Sequence, residues 1–399
     1  MRWQVLMNKS ITFFLKLLFV IPLAISPVSV SFAALDKFDP YVFTGVLYDS
    51  NLFRRSSDEE SDTIWHVGAG LESDLKLSRQ HLLLDLELDR SLYNSNDQLD
   101  NTRIDGRAAW QWEVGNLWSG NLGYDYDKRL ISYTETFDTQ KDMRTTQTGF
   151  FDAGYQIHPD WRLVIGADVA DVSYDERTQL DRNINSGLLE VQYQNTLNTR
   201  VGLRGKYSVN ELNDTNVGGV SISNDYDETA ISGVFYWEGS AKSALELLLG
   251  YTDISYDELS DRDFDGVSGR LIYHWFATTK TKIDFSAWRE PSTLNDEIQD
   301  YVLAQGVSIR PIWKATTKIT VRGELLYEND DFKARNDVLD ALGVQKRKDD
   351  NWLFSIRGIW EPRRNIDVSV GYRYKDRNST IDVRDFKDNQ VDAKLQLTF

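Results

Sequence analysis

The sequence predicts an all-β fold: a closed antiparallel transmembrane β-barrel of about eighteen strands, apolar toward lipid and hydrated at its centre. Three observations predict it. Apolar and polar residues alternate over strand-length stretches, short turns and longer polar loops alternate between those stretches, and aromatic residues gather at the stretch ends.

The alternation is plainest in three places. Leu82, Leu84, Leu86 and Leu88 interleave with Asp85, Glu87 and Asp89. Val201, Leu203, Gly205 and Tyr207 interleave with Arg200, Arg204 and Lys206, and Ile366, Val368, Val370 and Tyr372 with Asp367, Ser369 and Arg373. Successive side chains of a strand point to opposite faces, so each stretch has one apolar and one polar face. In lipid every backbone N–H and C=O needs a partner, and among sheets only a closed barrel supplies them all.

In chain order, residues 1–33 read as a secretory signal. Arg2 and Lys9 form the positive start, an apolar run from Ile11 to Ile25 is broken by Lys16, and Ser31-Phe32-Ala33 puts small residues at −3 and −1 of a cleavage site. A spanning helix needs about 20 apolar residues, longer than the run left after Lys16. Residues 34–399 are the predicted barrel, with strands from about residue 40 to Phe399. Short connections fall near 77–79, 115–116, 158–160, 196–198, 238–240, 277–279, 312–316 and 362–364. Long ones fall near 50–62, 95–101, 130–142, 176–184, 212–225, 258–264, 291–297, 329–348 and 376–387. In outer-membrane barrels the short turns are periplasmic and the long loops extracellular, and an even strand count returns both ends to the periplasm.

Aromatics sort by strand end. Tyr48, Tyr93, Tyr126, Tyr174, Tyr207, Tyr256, Trp288, Tyr327 and Tyr374 end the predicted upward strands, while Trp112, Trp118, Trp161, Trp237, Trp275, Trp313 and Trp360 lie beside the short turns. Two girdles at the two water–lipid boundaries account for this, since an indole or phenol favours one apolar and one wet side. A faint repeat is also present: the segment from Asp171 to Glu176 (DVSYDE) reappears from Asp253 to Glu258 (DISYDE), two hairpins later.

Composition narrows the function. The chain has 45 Lys+Arg against 62 Asp+Glu, and without Arg2, Lys9 and Lys16 of the leader it carries 42 against 62, a net −20. Such an acidic surface argues against a nucleic-acid partner. There is no cysteine, and the four histidines His66, His81, His158 and His274 sit in separate predicted strands or turns with no metal spacing. No phosphate-binding glycine loop or nucleophile motif occurs, so neither an enzyme nor a cofactor is expected.

The inward rows hold the candidate site. Asp85, Glu87 and Asp89 form an acidic stripe; Arg103, Arg107, Arg200, Arg204, Lys206, Arg322, Arg357 and Arg373 share the inward parity and are candidate pore-lining residues. Opposed walls of charge would orient polar solutes in a water-filled pore. The competing expectation is a lattice of cross-strand ion pairs that stiffens the wall. The longest loop, 329–348, carries Asp330, Asp331, Lys333 and Arg335 and ends in Lys346-Arg347-Lys348. Its favoured reading is an extracellular loop whose basic cluster meets lipopolysaccharide phosphates; the alternative is a lid folded inward.

Val391, Ala393, Leu395, Leu397 and Phe399 alternate with Asp392, Lys394, Gln396 and Thr398. This final stretch resembles the C-terminal signal read by the barrel-assembly machinery of bacterial outer membranes, with Phe399 as its key residue. The segment from Val46 to Arg54 contains Tyr48-Asp49-Ser50-Asn51-Leu52-Phe53-Arg54, which resembles the N-terminal signature of EpsL-type outer-membrane proteins. Those proteins are encoded with exopolysaccharide-biosynthesis machinery and grouped with β-barrel porins. The resemblance implies an outer-membrane channel taking part in polysaccharide export. Its implied partners are lipid and lipopolysaccharide, the polymer, and periplasmic polysaccharide-synthesis proteins. Two alternatives stand beside export: a general diffusion porin for small polar solutes, and a structural or surface-binding barrel with a plugged lumen.

Overall fold

The computed structural model describes residues 38–134, 136, 138–195, 199–217, 220–259, 262–292, 301–333 and 346–399. The predicted leader lies outside the described residues. The strands are β1 (Phe38–Asp49), β2 (Asp62–Leu77), β3 (Gln80–Tyr93), β4 (Asn101–Val114), β5 (Trp118–Leu130), β6 (Met143–His158), β7 (Trp161–Tyr174), β8 (Arg182–Gln194) and β9 (Arg200–Leu212). A small hairpin follows, β10 (Thr215–Val217) with β11 (Val220–Ile222). Then come β12 (Tyr226–Ser240), β13 (Ser243–Tyr256), β14 (Phe264–Thr278), β15 (Thr281–Ser292), β16 (Tyr301–Lys314), β17 (Ile319–Lys333), β18 (Lys348–Arg363), β19 (Ile366–Ser379) and β20 (Phe386–Thr398).

Apart from the small hairpin these make one 18-stranded sheet. Each strand pairs antiparallel with its neighbours, and β9 pairs with β12 across the inserted hairpin. β1 pairs with β20 from Tyr41↔Thr398 to Asp49↔Gln390, which closes the sheet into a barrel. The Phe399 N–H donates to the Pro40 carbonyl at 2.8 Å, so the ladder runs to the last residue. Sheets of sixteen to eighteen strands close around an aqueous channel.

The predicted alternation decides which way each wall faces. Outward residues are bare apolar side chains, with Leu203 62% and Ile231 59% exposed. Inward residues touch partners that step over an intervening strand, which the curvature of the concave side brings within reach. Tyr41 of β1 and Lys394 of β20 both reach Glu87 of β3, for example. On that side Tyr41 and Phe43 lie flat over β2. A Cβ on Gly70 would fall 2.2 Å from the Tyr41 ring and one on Gly68 2.3 Å from the Phe43 ring, so only glycine admits the two rings.

Strands run 12 to 16 residues, beyond the roughly 9–11 needed to cross the hydrocarbon. The excess is seen at the long-loop end. There outward tyrosines donate to acids or amides on the next strand, Tyr207 to Asp227 and Tyr327 to Asp350 at 2.7 Å, and Tyr372 to Asn389 at 2.9 Å. The longest predicted loop shrinks accordingly: Asp330, Asp331 and Lys333 belong to β17, and residues 334–345 lie outside the described residues.

The girdle expectation holds at one end and needs correction at the other. The seven tryptophans beside the short turns all sit on the outward rows, Trp313 and Trp360 being half exposed and Trp112 stacked on Phe151. At the opposite end Tyr48, Tyr126, Tyr207, Tyr327 and Tyr374 are outward, but Tyr93, Tyr174, Tyr256 and Trp288 face inward. The reason is parity. Tyr93 shares its row with Asp85, Glu87 and Asp89, and position near a strand end does not choose the face.

The inward tyrosines also explain the repeat. The Tyr174 N–H donates to the Asp181 carboxylate at 2.7 Å and the Tyr256 N–H to Asp263 at 2.8 Å. Tyr93 and Asp100 repeat the device at 2.8 Å. In each hairpin a carboxylate seven residues downstream ties down the first loop turn.

Candidate functional site: the lumen wall and its mouth

All eleven candidate pore-lining residues occupy the concave rows, ten of them on two stretches of wall and Arg322 between those stretches. The first runs from β18 through the seam to β4 and borders a cavity of about 300 Å³. Here Glu87 accepts from the Tyr41 hydroxyl at 3.0 Å and lies 4.0 Å from Arg103 and 3.9 Å from Lys394. Arg103 also reaches Asp105 at 3.4 Å, and Arg107 reaches Asp125 at 3.5 Å while covering the Phe150 ring. Arg357 grips Asp392 with two bonds of 2.7 Å. Arg373 stands opposite Ser355 and Gln390, and Asp85 opposite Glu72 and Arg107.

The second stretch, β8 to β15, borders a cavity of about 380 Å³. Arg204 pairs with the buried Glu190 at 2.7 Å. Arg200 lies 4.5 Å over the Tyr236 ring, and Arg270 pairs with Glu290 at 2.6 Å. Lys206 completes the β9 row, opposite Leu188 and Ala230. On the remaining wall Arg322 faces Arg357 directly across the ladder.

Both expectations for the charges therefore apply, to different residues. Arg103, Arg107, Arg204 and Arg357 belong to an ion-pair lattice. Among the described residues Arg200, Lys206, Arg322 and Arg373 have no carboxylate within 4 Å, and neither Glu72 nor Asp85 has a cation that close. These six groups lack an ion-pair partner among the described residues, though Arg200 rests on the Tyr236 ring. The sequence reading left out Glu72, Glu190, Asp392 and Lys394, although each lies on the polar row of its own strand and row parity alone would have included it.

Among the described residues, His66 lies beside both a carboxylate and a hydroxyl. Its Nδ1 lies 3.1 Å from Asp89 and 3.2 Å from the Ser91 hydroxyl. Both neighbours meet the same ring nitrogen. A Ser–His–Asp relay needs them on opposite nitrogens, so the hydroxyl has no general base here.

The mouth is built by loops. Residues 131–142, between β5 and β6, are closed at the neck by the Ile131 N–H donating to Asp142 O at 3.0 Å. The Tyr133 ring packs edge-on against Phe53 at 5.0 Å, in a buried apolar cluster with Leu52, Ile64 and Leu99. Burial pushes the Tyr133 hydroxyl above the ordinary phenol range, so it stays protonated. The Thr134 carbonyl accepts from Arg377 of β19 at 2.7 Å. From β5 to β19 is six strand steps of eighteen, so this loop reaches inward across a third of the circumference.

Below it lies a cavity of about 570 Å³ bordered by Trp288, Glu328, Asp330, Arg347 and Lys375. Trp288 is no girdle residue: its Nε1–H donates to Glu328 at 2.7 Å. Arg347, expected in an outward basic cluster, is also inward. It is buried, bonded to Asp349 at 2.6 Å and stacked 3.9 Å over Phe332, while Lys346 pairs with Asp331 at 3.2 Å. Burial favours a matched pair over a solvated guanidinium waiting for a phosphate.

A closed eighteen-stranded barrel, apolar outside and charged within, has the architecture of the outer-membrane porins. The chain belongs to the family described as "Putative beta-barrel porin 2", which matches residues 38–399. No curated protein matches it. Among solved structures, the outer membrane protein OpdK of Pseudomonas aeruginosa, with vanillate, aligns at a TM-score of 0.52 and 11% identity over 91% of this chain and 99% of that one. OccK2 (OpdF) of the same organism gives 0.51 and 10%, covering 91% and 98%. A BenF-like porin from Pseudomonas fluorescens Pf-5 gives 0.50 and 10%, with the same coverage. These likenesses establish the fold. They agree with the porin half of the resemblance drawn from Val46 to Arg54. None bears on exopolysaccharide machinery, and the expectation of polymer export fits them less well than a porin for small solutes.

Proposed function

We propose that the protein is a passive outer-membrane channel for small polar solutes, with its long-loop end toward lipopolysaccharide. One observation carries this reading. The concave wall carries charges of both signs without an ion-pair partner among the described residues, and it holds cavities of about 300 to 570 Å³, two of them bordered by Arg200 and Arg373, within the size range of small-molecule sites. A polymer would have to thread past residues 131–142, whose contacts span a third of the mouth. Free cations at Arg200, Lys206, Arg322 and Arg373 and free carboxylates at Glu72 and Asp85 suit solutes that carry their own charge, zwitterions included. No energy-coupling motif is present, so the gradient of the solute drives passage.

The test is purified protein in planar bilayers with lipopolysaccharide in one leaflet, and in liposomes. The expected result is ohmic current steps, together with liposome swelling in amino acids or monosaccharides, neither altered by added polysaccharide. Absence of current would favour the plugged barrel. Block by polymer would return the export reading.

A further inference from the structure

The segment from Tyr48 to Arg54 stood out in the sequence and is not used by the solute-facing wall. It folds into a buried polar knot at the seam. Asp49 receives two bonds from Arg54 at 2.8 Å and one from Gln390 of β20, also at 2.8 Å. Arg54 also reaches Asp388 of β20 at 3.2 Å. Asn51, fully buried, donates to Lys387 O at 3.0 Å and to Arg55 O at 2.8 Å, and its side-chain oxygen accepts the Arg55 N–H at 3.0 Å. Arg54 holds φ at +54°, a left-handed conformation unfavourable for a side chain larger than glycine's. Strain of this kind persists where surrounding contacts over-determine it.

Backbone pairing of β1 with β20 already closes the barrel below this point. What the knot adds is direction: it turns Leu52 and Phe53 into the mouth, where they meet Ile64, Leu99 and Tyr133. Tyr133 and Thr134 are thereby held at two places, by Phe53 near the seam and by Arg377 on β19. A third tie, Lys141 Nζ to Asp100 O at 2.6 Å, holds the returning arm of the loop.

We propose that the Asp49–Arg54 knot is the seat of the constricting loop, with Phe53 a positioning residue that holds residues 131–134 over the mouth and so sets the largest solute admitted. This rests on the channel reading above for its consequence, but not for the seating itself. Without the Phe53 ring the loop keeps its neck and its Arg377 bond and loses its apolar floor.

The experiment compares wild type with Phe53→Ala, both shown to be folded by heat-modifiable gel mobility. Hydrogen exchange is read on the peptide covering 131–142, and single-channel conductance and the liposome size cut-off are read in parallel. Expected in Phe53→Ala are exchange about tenfold faster in that peptide, roughly twofold larger conductance and entry of larger sugars. Unchanged exchange overturns the seating. Faster exchange with wild-type conductance and cut-off overturns the role in solute size. If wild type itself passes no current, the channel reading fails, and the exchange result alone decides the seat. Should Phe53→Ala not fold, Tyr133→Ala removes the same contact from the loop side and leaves the knot intact, with the same outcomes expected.

Discussion

At the residue scale, the inward arginines divide by what they touch. Arg357 is held by Asp392, so its guanidinium serves the wall. Arg322, its direct neighbour across the ladder, has no carboxylate partner among the described residues. The two should respond oppositely to truncation. Arg357→Ala is expected to lower stability by about 1–2 kcal/mol, the loss of charge-assisted bonds in a partly exposed pair. Arg322→Ala should stay within about 0.5 kcal/mol yet move the reversal potential toward cation preference. Urea unfolding and reversal potentials under a salt gradient would check both halves, and equal stability losses would contradict the division. Arg54 is a third kind of arginine. Its burial alone would favour losing the proton, but the bonds and charge of Asp49, with Asp388 behind it, outweigh that and raise its pKa.

At the element scale, three hairpins on the long-loop side, those after β3, β7 and β13, share one construction. A tyrosine ends the rising strand facing inward, a short loop follows, and an aspartate seven residues on accepts its N–H. The repeat of Asp171–Glu176 at Asp253–Glu258 is thus a loop-closing device. Removing the acceptor should act locally. Asp181→Ala is expected to cost about 1–2 kcal/mol and to speed hydrogen exchange in residues 174–181 while β7 and β8 keep their protection. Loss of protection along either whole strand would show the carboxylate to be part of the sheet's register instead. The sequence pattern placed these loops within a few residues of their observed positions, because turn-forming and polar residues interrupt the alternation there. It did not show that the loop after β5 leans inward. Its polar residues read as solvated, and the Phe53–Tyr133 contact joins positions eighty residues apart.

At the scale of the whole molecule, closure depends on the first and last strands meeting. β1 and β20 pair along nine residues, and Phe399 adds the last rung. The Phe399 side chain is 76% exposed on the outward row, free for the recognition by assembly machinery that we propose for it. Deleting Phe399 is expected to lower the amount of heat-modifiable barrel in outer-membrane fractions several-fold while leaving the stability of the remainder, refolded in detergent, nearly unchanged. Normal membrane levels would remove the proposed signal.

The row to which each side chain belongs was determined by the sequence alone. A two-residue period assigns lipid or lumen, the lipid environment forces closure, and the turn rhythm counts the strands. On that basis all eleven candidates from Asp85 to Arg373 could be set on the concave side, and the same rule, applied fully, would have moved Tyr93, Tyr174, Tyr256 and Trp288 there too. Only the tertiary structure decided which of those charges pair with each other, which stay free, and what spans the mouth. Pairing depends on register and on reach over intervening strands, as when Lys394 meets Glu87. The mouth depends on contacts among loops from β1–β2, β3–β4 and β5–β6. Neither is written in local periodicity, because both arise from the curvature that brings distant rows within a few ångströms of one another.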